Sequence, residues 1–591
     1  MEKNVVLAIV LSALILFGGT YLMSSIEKKN AREAPAIAPE QLEIVEDESS
    51  DTVIETTSEA ESVEKSDVEL REQDYPVETI VEKTDLFEIH FNTAGAVVTE
   101  LYLLREMDED EPISMVLDGE SDVGTFNMAF GAYDAAYITD IFKHERIQRG
   151  REIIHLFSRD FIQNGQIFTV SRSYRIIPGE YMIEHQIILK TPDGKFVPLL
   201  DGDQPAYTLT YGPQIGPKFA KIDGRYEIRN NISWGPDPKS GKFKRELYKK
   251  KGDDNLIQIG DTVSWAAISG KYFAVIADPG SGSSTITWNE NPVKGQSQAS
   301  RLQISKPARR QSLIEDTYRY YVGPLDKANL NRYNKAEDNA FGVSGMAFQN
   351  APRTSAVLGW LESILRWLLE IFYRIVPNYG LSIIFLTILI KIILFPFTHK
   401  SYKSTSKMQA AQPKIKAIQE QFKGDKQKIQ QKTAELYKQE GINPLGGCLP
   451  LLFQLPILFA LFNLLNRYFP LRGAEFIPGW ITDLSAPEYI VEFANPINLR
   501  IWTLEAIRIL PVLYLGGQLL TTKITQRASA GAQSGAQQKI LTVGMPIMFF
   551  FILYNMPSGL LLYWTVMNFI TVGQQLITNY FKKRKAAGGV V

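Results

Sequence analysis

The chain has 591 residues, 45% of them hydrophobic and 22% charged, with a formal net charge of −2; the length admits several structural units, and the near-balanced charge decides nothing until it is resolved along the sequence. The single cysteine, Cys448, excludes an intramolecular disulfide, so any exported domain must be held by its own core. One cysteine and five scattered histidines (His90, His144, His155, His185 and His399) show no ligand spacing, so no metal site, cofactor or catalytic residue is expected.

Hydropathy divides the chain. Long apolar runs fill 1–25 and 380–580, and the stretch between them is polar with short alternating segments, which marks an integral membrane protein with a large soluble part. The first run, Val5 to Ser25, is long enough to span and is followed by Glu27, Lys28 and Lys29 without a small-residue cleavage site, so residues 1–25 read as a retained anchor, with a cleaved signal peptide as the alternative. Residues 26–82 are acidic and poor in aromatics, too weakly apolar to offset the entropy of ordering, and read as a flexible linker.

Beyond it, DLFEIHFNTAGAVVTELYLL, REIIHLFSRDF, QIFTVSRSYRIIPGEYMIEHQIILK and STITWNE are rich in β-branched and aromatic residues between Gly, Pro and Asp. This is the pattern of a β-sandwich, placed at 83–345. Within it Glu184 and His185 are adjacent, but neighbours on a strand point to opposite faces, so they read as structural rather than catalytic.

The segment from Leu358 to Pro377 puts Trp360, Ile364, Trp367, Ile371 and Ile375 on one helical face, with Glu362, Arg366, Glu370 and Arg374 elsewhere. An amphipathic helix at the membrane surface is expected over 355–377, and a helix packed on the β-domain is the alternative. Five apolar spans follow within 378–585, at about 380–397, 445–465, 507–522, 540–556 and 559–579. Residues 398–444 hold ten lysines against four acids, 521–539 hold Lys523, Arg527 and Lys539 with no acid, and the tail carries Lys582 to Lys585 before a short end at 586–591. The positive-inside rule then predicts a cytoplasmic N-terminus, cytoplasmic basic loops and C-terminus, and an exported β-domain. Lys28 and Lys29, on the outer side of the first span, run against that assignment.

Lys391 stands well inside the first core span. A charge at mid-helix costs about 2.5–3.5 kcal/mol on insertion scales, so it marks either a polar cavity or a lysine whose stem reaches the headgroups. Thr387, Gln454, Asn463, Asn568, Thr571 and Gln574 recur at similar depths with no acid in any span, which favours a wetted cavity and an acidic partner supplied by a substrate. The loop at 400–440 reads as two helices joined at Lys423–Gly424–Asp425, a hairpin whose Lys414, Lys416, Lys426 and Lys428 form either a solvated face or a surface for anionic lipid, a nascent chain or ribosomal RNA.

KIILFPFT (391–398), QPKIKAIQE (412–420), AELYKQEGINPLGGCLPLLFQLPI (434–457), WITDLSAPEY (480–489) and MPSGLLLYWTVMNFITVGQQ (556–575) resemble the YidC/Oxa/Alb family of membrane protein insertases, in order, over about 355–585. The long exported domain resembles that of the six-span branch of Gram-negative-type bacteria. The resemblance implies a five-helix core with a hydrophilic groove open to cytoplasm and lipid, an exported β-supersandwich, an inner-membrane location and a non-enzymatic insertase and chaperone. Its partners would be nascent membrane proteins, lipids, the Sec translocon and the ribosome, with no nucleic acid as substrate. Lys391 stands where bacterial relatives carry an arginine, keeping the charge without the bidentate fork; Gln454, Trp564 and Tyr563 match groove-lining positions. The stretch 492–508 is longer than the family's usual link and carries Arg508 at its end.

Overall fold

Residues 152–163 alternate half-buried and buried positions without interruption, and this period-two pattern is what lets one face of a strand enter a core while the other meets solvent. In the computed structural model the described residues are 68–70, 75–108, 111–116, 124–198, 205–212, 229–237, 239–249, 256–260, 263–290, 300–352, 358–442, 449–499, 502–527 and 543–587. The expected N-terminal anchor, most of the linker, Cys448, Lys539 and the last four residues lie outside them.

A ten-stranded antiparallel sheet runs in the order Val68–Leu70, Glu152–Gln163, Gln166–Ile176, Met182–Lys190, Leu313–Pro324, Phe273–Asp278, Trp265–Ser269, Asn230–Pro236 and Phe243–Tyr248, with Lys143–Arg149 also paired to Glu152–Gln163. A five-stranded sheet (Leu256–Ile259, Thr285–Glu290, Ser300–Pro307, Pro205–Tyr211, Asn127–Phe130) and a four-stranded sheet (Thr79–Lys83, Phe87–Asn92, Val97–Asp108, Glu111–Ser114) share one apolar core with it. Phe91 packs on Phe157 and Tyr174, and Phe130 packs on Phe161 and Phe168. The expected β-sandwich is thus observed. Its start is corrected: Val68–Leu70 and Thr79–Lys83, assigned above to the linker, are strands of these sheets.

The reason is Glu82, which reads as a tether acid but is buried. Its carboxylate accepts from Arg146 (2.7 and 3.1 Å) and from His155 Nε2 (3.0 Å), while His144 Nε2 lies 3.1 Å from His155 Nδ1. Burial resists ionisation of Glu82, yet the paired Arg146 and His155 hold its carboxyl below the ordinary range. Burial drives the His155 imidazole down to about 4 against the pull of Glu82. An unfolded histidine takes a proton that the folded one refuses between pH 6.5 and about 4, so this contribution is complete above 6.5 and is lost as pH falls through that window. Urea unfolding of the full chain in detergent is therefore predicted to show stability falling across that window, and His155→Gln to flatten the slope; an unchanged slope would remove His155 as the titrating group.

Seven helices follow among the described residues, numbered from the amphipathic one: α1 (Gly359–Ile375), α2 (Tyr379–Gln421), α3 (Lys426–Gln439), α4 (Leu449–Arg467), α5 (Leu510–Arg527), α6 (Met545–Leu553) and α7 (Ser558–Ala587). In α1, Leu365 and Leu369 are buried while Trp360, Ile364, Trp367 and Ile375 are exposed, so an apolar stripe stays open as a surface helix requires. Its polar side faces the β-domain: Arg366 pairs with Asp326 and with Glu370 (2.9 Å), and Tyr468 donates to Glu370 (3.2 Å). Arg472 meets Asp108 at 2.9 Å, and the Phe469 ring packs on Tyr272 and Phe273, so the segment after α4 seats the β-domain on the helices.

Two helical stretches, Tyr379–Pro396 and Ser558–Phe581, are long and apolar enough to cross a membrane among the described residues, against five expected after 378. The apolar part of α5 is interrupted by Gly516, Gly517 and Gln518 and followed by Thr521 and Thr522, and α6 has only nine residues, about 13 Å at helical rise. The first core span and the first helix of the hairpin are one element, because α2 continues for 43 residues through Pro396 and Pro413. The turn at Gly424 (φ +103°) is observed, and Asp425 caps α3 by accepting from Lys428 N (3.0 Å).

Candidate functional site: a polar seam along α7

The start of α7 is pinned by the two motifs that stand out in the sequence. Ser558 N donates to Ala486 O (2.8 Å), Ser558 Oγ to Asp483 O (2.7 Å) and Gly559 N to Leu484 O (2.9 Å). Residue 559 can only be glycine without displacement, since a Cβ there would stand 3.0 Å from Leu484 O and 3.3 Å from Ile383 Cδ1. The WITDLSAPEY loop and the PSGLLLYW stretch are therefore two halves of one clamp that sets the rotation of α7.

From that rotation Trp564, Asn568 and Thr571, spaced four and three apart, fall on one stripe. Lys391 Nζ of α2 donates to Thr571 Oγ1 (2.8 Å), and that hydroxyl donates to Met567 O (2.7 Å). Lys391 is partly buried, and among the described residues no carboxylate lies within 4 Å of it. One of its three N–H donors is thereby used. Thr387, one turn before it, is buried and spends its hydroxyl on Ile383 O (2.6 Å), so it lies beside the lysine without offering a free donor.

Asn568 faces α5, where Gly517 admits its Cβ to 3.3 Å of an added methyl; its Nδ2 is buried without a protein hydrogen-bond partner. Trp564 packs on Tyr514 of α5, with ring centroids 6.1 Å apart. Tyr563 is buried with its hydroxyl beside the Gln454 amide of α4, in a geometry short of a formed hydrogen bond. The buried Asn466 Oδ1 and Thr565 Oγ1 likewise have no protein partner. Buried amides and hydroxyls left this way carry a desolvation cost unless water or a guest meets them. The chemistry available is hydrogen bonding and charge attraction; among the described residues there is no metal-ligand cluster.

The expected site residues thus gather on the faces that α7 turns toward α2, α4 and α5. Sequence reasoning noted Thr571 only as a polar group at similar depth, without pairing it to Lys391. Tyr514 was missed, as nothing local distinguishes it.

The hairpin lysines stand apart. Lys416 is exposed, Lys414 pairs with Glu440 (2.5 Å), Lys428 with Asp425 (3.2 Å), and the Lys426 side chain lies outside the described residues. Exposed pairs of this kind are screened by solvent and contribute little to stability, so they leave the face open to exchange. What holds α2 to α3 is an apolar seam of Ala411, Ile415, Leu436 and Ile442.

The sequence profile described as 60Kd inner membrane protein matches residues 371–585. A protein of Treponema denticola named membrane protein insertase YidC is 36% identical over 99% of this chain and its own full length. The chain belongs to the YidC family of membrane protein insertases. A second YidC insertase, from Treponema pallidum, is 33% identical over 98% of each chain. Among solved structures, one titled "Active YidC insertase crystal structure with the first transmembrane domain resolved" aligns with 88% of this chain and 95% of its own, at 17% identity and a TM-score of 0.33. Family membership makes this an inner-membrane protein, and the profile's range contains every expected groove residue and the whole hairpin.

Proposed function

We propose that this YidC-family protein accepts hydrophobic segments from the cytoplasm, hosts their short polar tails in a groove along α7, and releases them sideways into the inner membrane, where it assists their folding. The core would comprise five spans, with α4, α5 and α6 completing the set around α2 and α7. The basic hairpin would face the cytoplasm and receive the chain, and the β-domain would be exported. The Sec translocon and the ribosome are the partners this reading admits. No bond is made or broken, and transfer of apolar surface into lipid provides the drive.

The observation that carries the reading is Lys391: a cation on an otherwise apolar span, hydrogen-bonded to Thr571 and without a carboxylate within 4 Å among the described residues. A structural ion pair would have brought its own acid. The unpartnered Asn568, Thr565 and Asn466 atoms support a site that expects a guest's polar groups.

The test is insertion into vesicles with and without the full chain, using a single-span protein with a short exported tail and protease protection as the readout. Protection of the tail only when the chain is present is expected. Equal protection without it, or flux of polar solutes through the same vesicles, would replace insertion by spontaneous partitioning or by transport.

A further inference from the structure

Between α4 and α5 the chain forms a two-stranded antiparallel sheet, Val491–Leu499 against Trp502–Ile507. Its base is apolar and open: Tyr489, Ile490, Val491 and Ile507 are each close to half exposed, and Val491 and Ile507 are direct cross-strand partners closed by Ile490 N donating to Ile507 O (2.9 Å). An isolated two-stranded sheet is marginal in water, so an apolar patch at its base calls for a cover.

The base is held firmly. Arg508 is buried, donates to Glu488 O (3.1 Å), contacts Asn555 Oδ1 and lies over the Tyr554 ring. Glu488 in turn accepts from Leu510 N (2.8 Å) and from Trp480 Nε1 (2.8 Å). The patch is thus fixed at the end of α5, in line with Val512 and Leu513, which are also exposed on that helix.

The length of α5 identifies the cover. Its apolar part, Leu510 to Leu520, reaches about 17 Å at helical rise against about 30 Å of hydrocarbon, and the polar Thr521, Thr522 and Lys523 follow it. We infer that Tyr489, Ile490, Val491 and Ile507 lie in the outer interface of the bilayer and extend the short α5 span, seating the hairpin base on lipid headgroups. The strands cannot enter the hydrocarbon itself, because their free edges would carry unpaired N–H and C=O groups; a depth of about 5–10 Å suits them. Tyrosine at the boundary fits the same level. This inference rests on the proposed reading of α5 as a span with its outer end at Leu510.

The test uses the full chain with Cys448→Ser, single cysteines at Ile490, Ile507, Val512 or Leu313, and an environment-sensitive fluorophore, in phosphatidylethanolamine–phosphatidylglycerol vesicles. Lipids with a shallow spin label are expected to quench the Ile490 and Ile507 probes several-fold more than the probe at Leu313, an exposed β-domain position, with blue-shifted emission and little quenching by iodide. Iodide quenching equal to that at Leu313 overturns the inference. Protection from both iodide and spin-labelled lipid also overturns it, in favour of a second copy or another protein on the patch. If the Val512 probe escapes lipid quenching as well, the span reading of α5 has failed; if only the hairpin probes escape, the inference alone has.

Discussion

Lys391→Ala is expected to lower insertion of a test protein with an acidic exported tail by about ten- to a hundredfold, the equivalent of one charge-assisted hydrogen bond of about 1.5–3 kcal/mol. Lys391→Glu should lower it further, because a second carboxylate then faces the incoming acid. The cation donates one N–H to Thr571 and keeps others for a guest, so Lys391→Arg should retain most activity and Thr571→Val should shift the effect only modestly. A test protein with an uncharged tail separates attraction from packing: its insertion should fall far less with either substitution. Full insertion of the acidic tail by both the Ala and Glu variants would show a lysine that only reaches for the headgroups.

Arg172→Ala is expected to destabilise the β-domain by about 3–5 kcal/mol, the range for breaking a buried hydrogen-bond network and orphaning its acceptors. The guanidinium is fully buried and donates to Gly95 O (2.5 Å), Phe126 O and Tyr174 Oη (2.9 Å), and that hydroxyl donates to Ala96 O (2.7 Å). Ala96 and Phe126 are both in left-handed conformations (φ 52° and 59°), which cost about 1–3 kcal/mol each in a residue with a side chain. Arg172 and Tyr174 hold both strained turns by their carbonyls, so losing the arginine orphans three acceptors and frees the strain together. Arg172→Lys keeps the charge but not the fork and should fall between. Urea unfolding of the full chain in detergent measures this; a loss under about 1 kcal/mol would show that the turns hold themselves.

The β-strands were legible because period-two alternation is local, and so was the hairpin turn, where Gly424 follows a lysine-rich helix. Lys391 stood out because a charge in an apolar run violates a local rule. What was not legible is what long-range contacts decide. Glu82 belongs to a strand because Arg146 and His155, 64 and 73 residues away, neutralise it inside the domain; nothing beside it in the sequence says so. His185, read as structural, lies inside the core: its ring stacks on Tyr174 at 4.2 Å, its Nδ1 lies 3.0 Å from Ser173 O, and burial pushes it well below the ordinary histidine range. The neighbouring Glu184 turns outward to Arg175 (2.9 Å) and Arg319 (3.1 Å). The hairpin of Val491–Leu499 and Trp502–Ile507 escaped notice because its segment reads as an unusually long link, with no Asn-Gly or Asp-Gly signal in the sequence between 492 and 508.

The uninterrupted α2 makes the hairpin and Lys391 parts of one strut. It is about 65 Å long at helical rise, with Lys391 about 18 Å from its N-terminal end and about 45 Å from its tip at Gln421. With the N-terminal end held by Asn378 Nδ2 donating to Glu475 O (3.5 Å) and by the close approach of Gly380 to Phe476, a sideways push on the tip reaches the lysine reduced by leverage to under a third. Only Pro396 and Pro413, both beyond Lys391, can absorb part of it by bending. Whatever grips the hairpin therefore acts on Lys391 at a mechanical disadvantage in distance and an advantage in force.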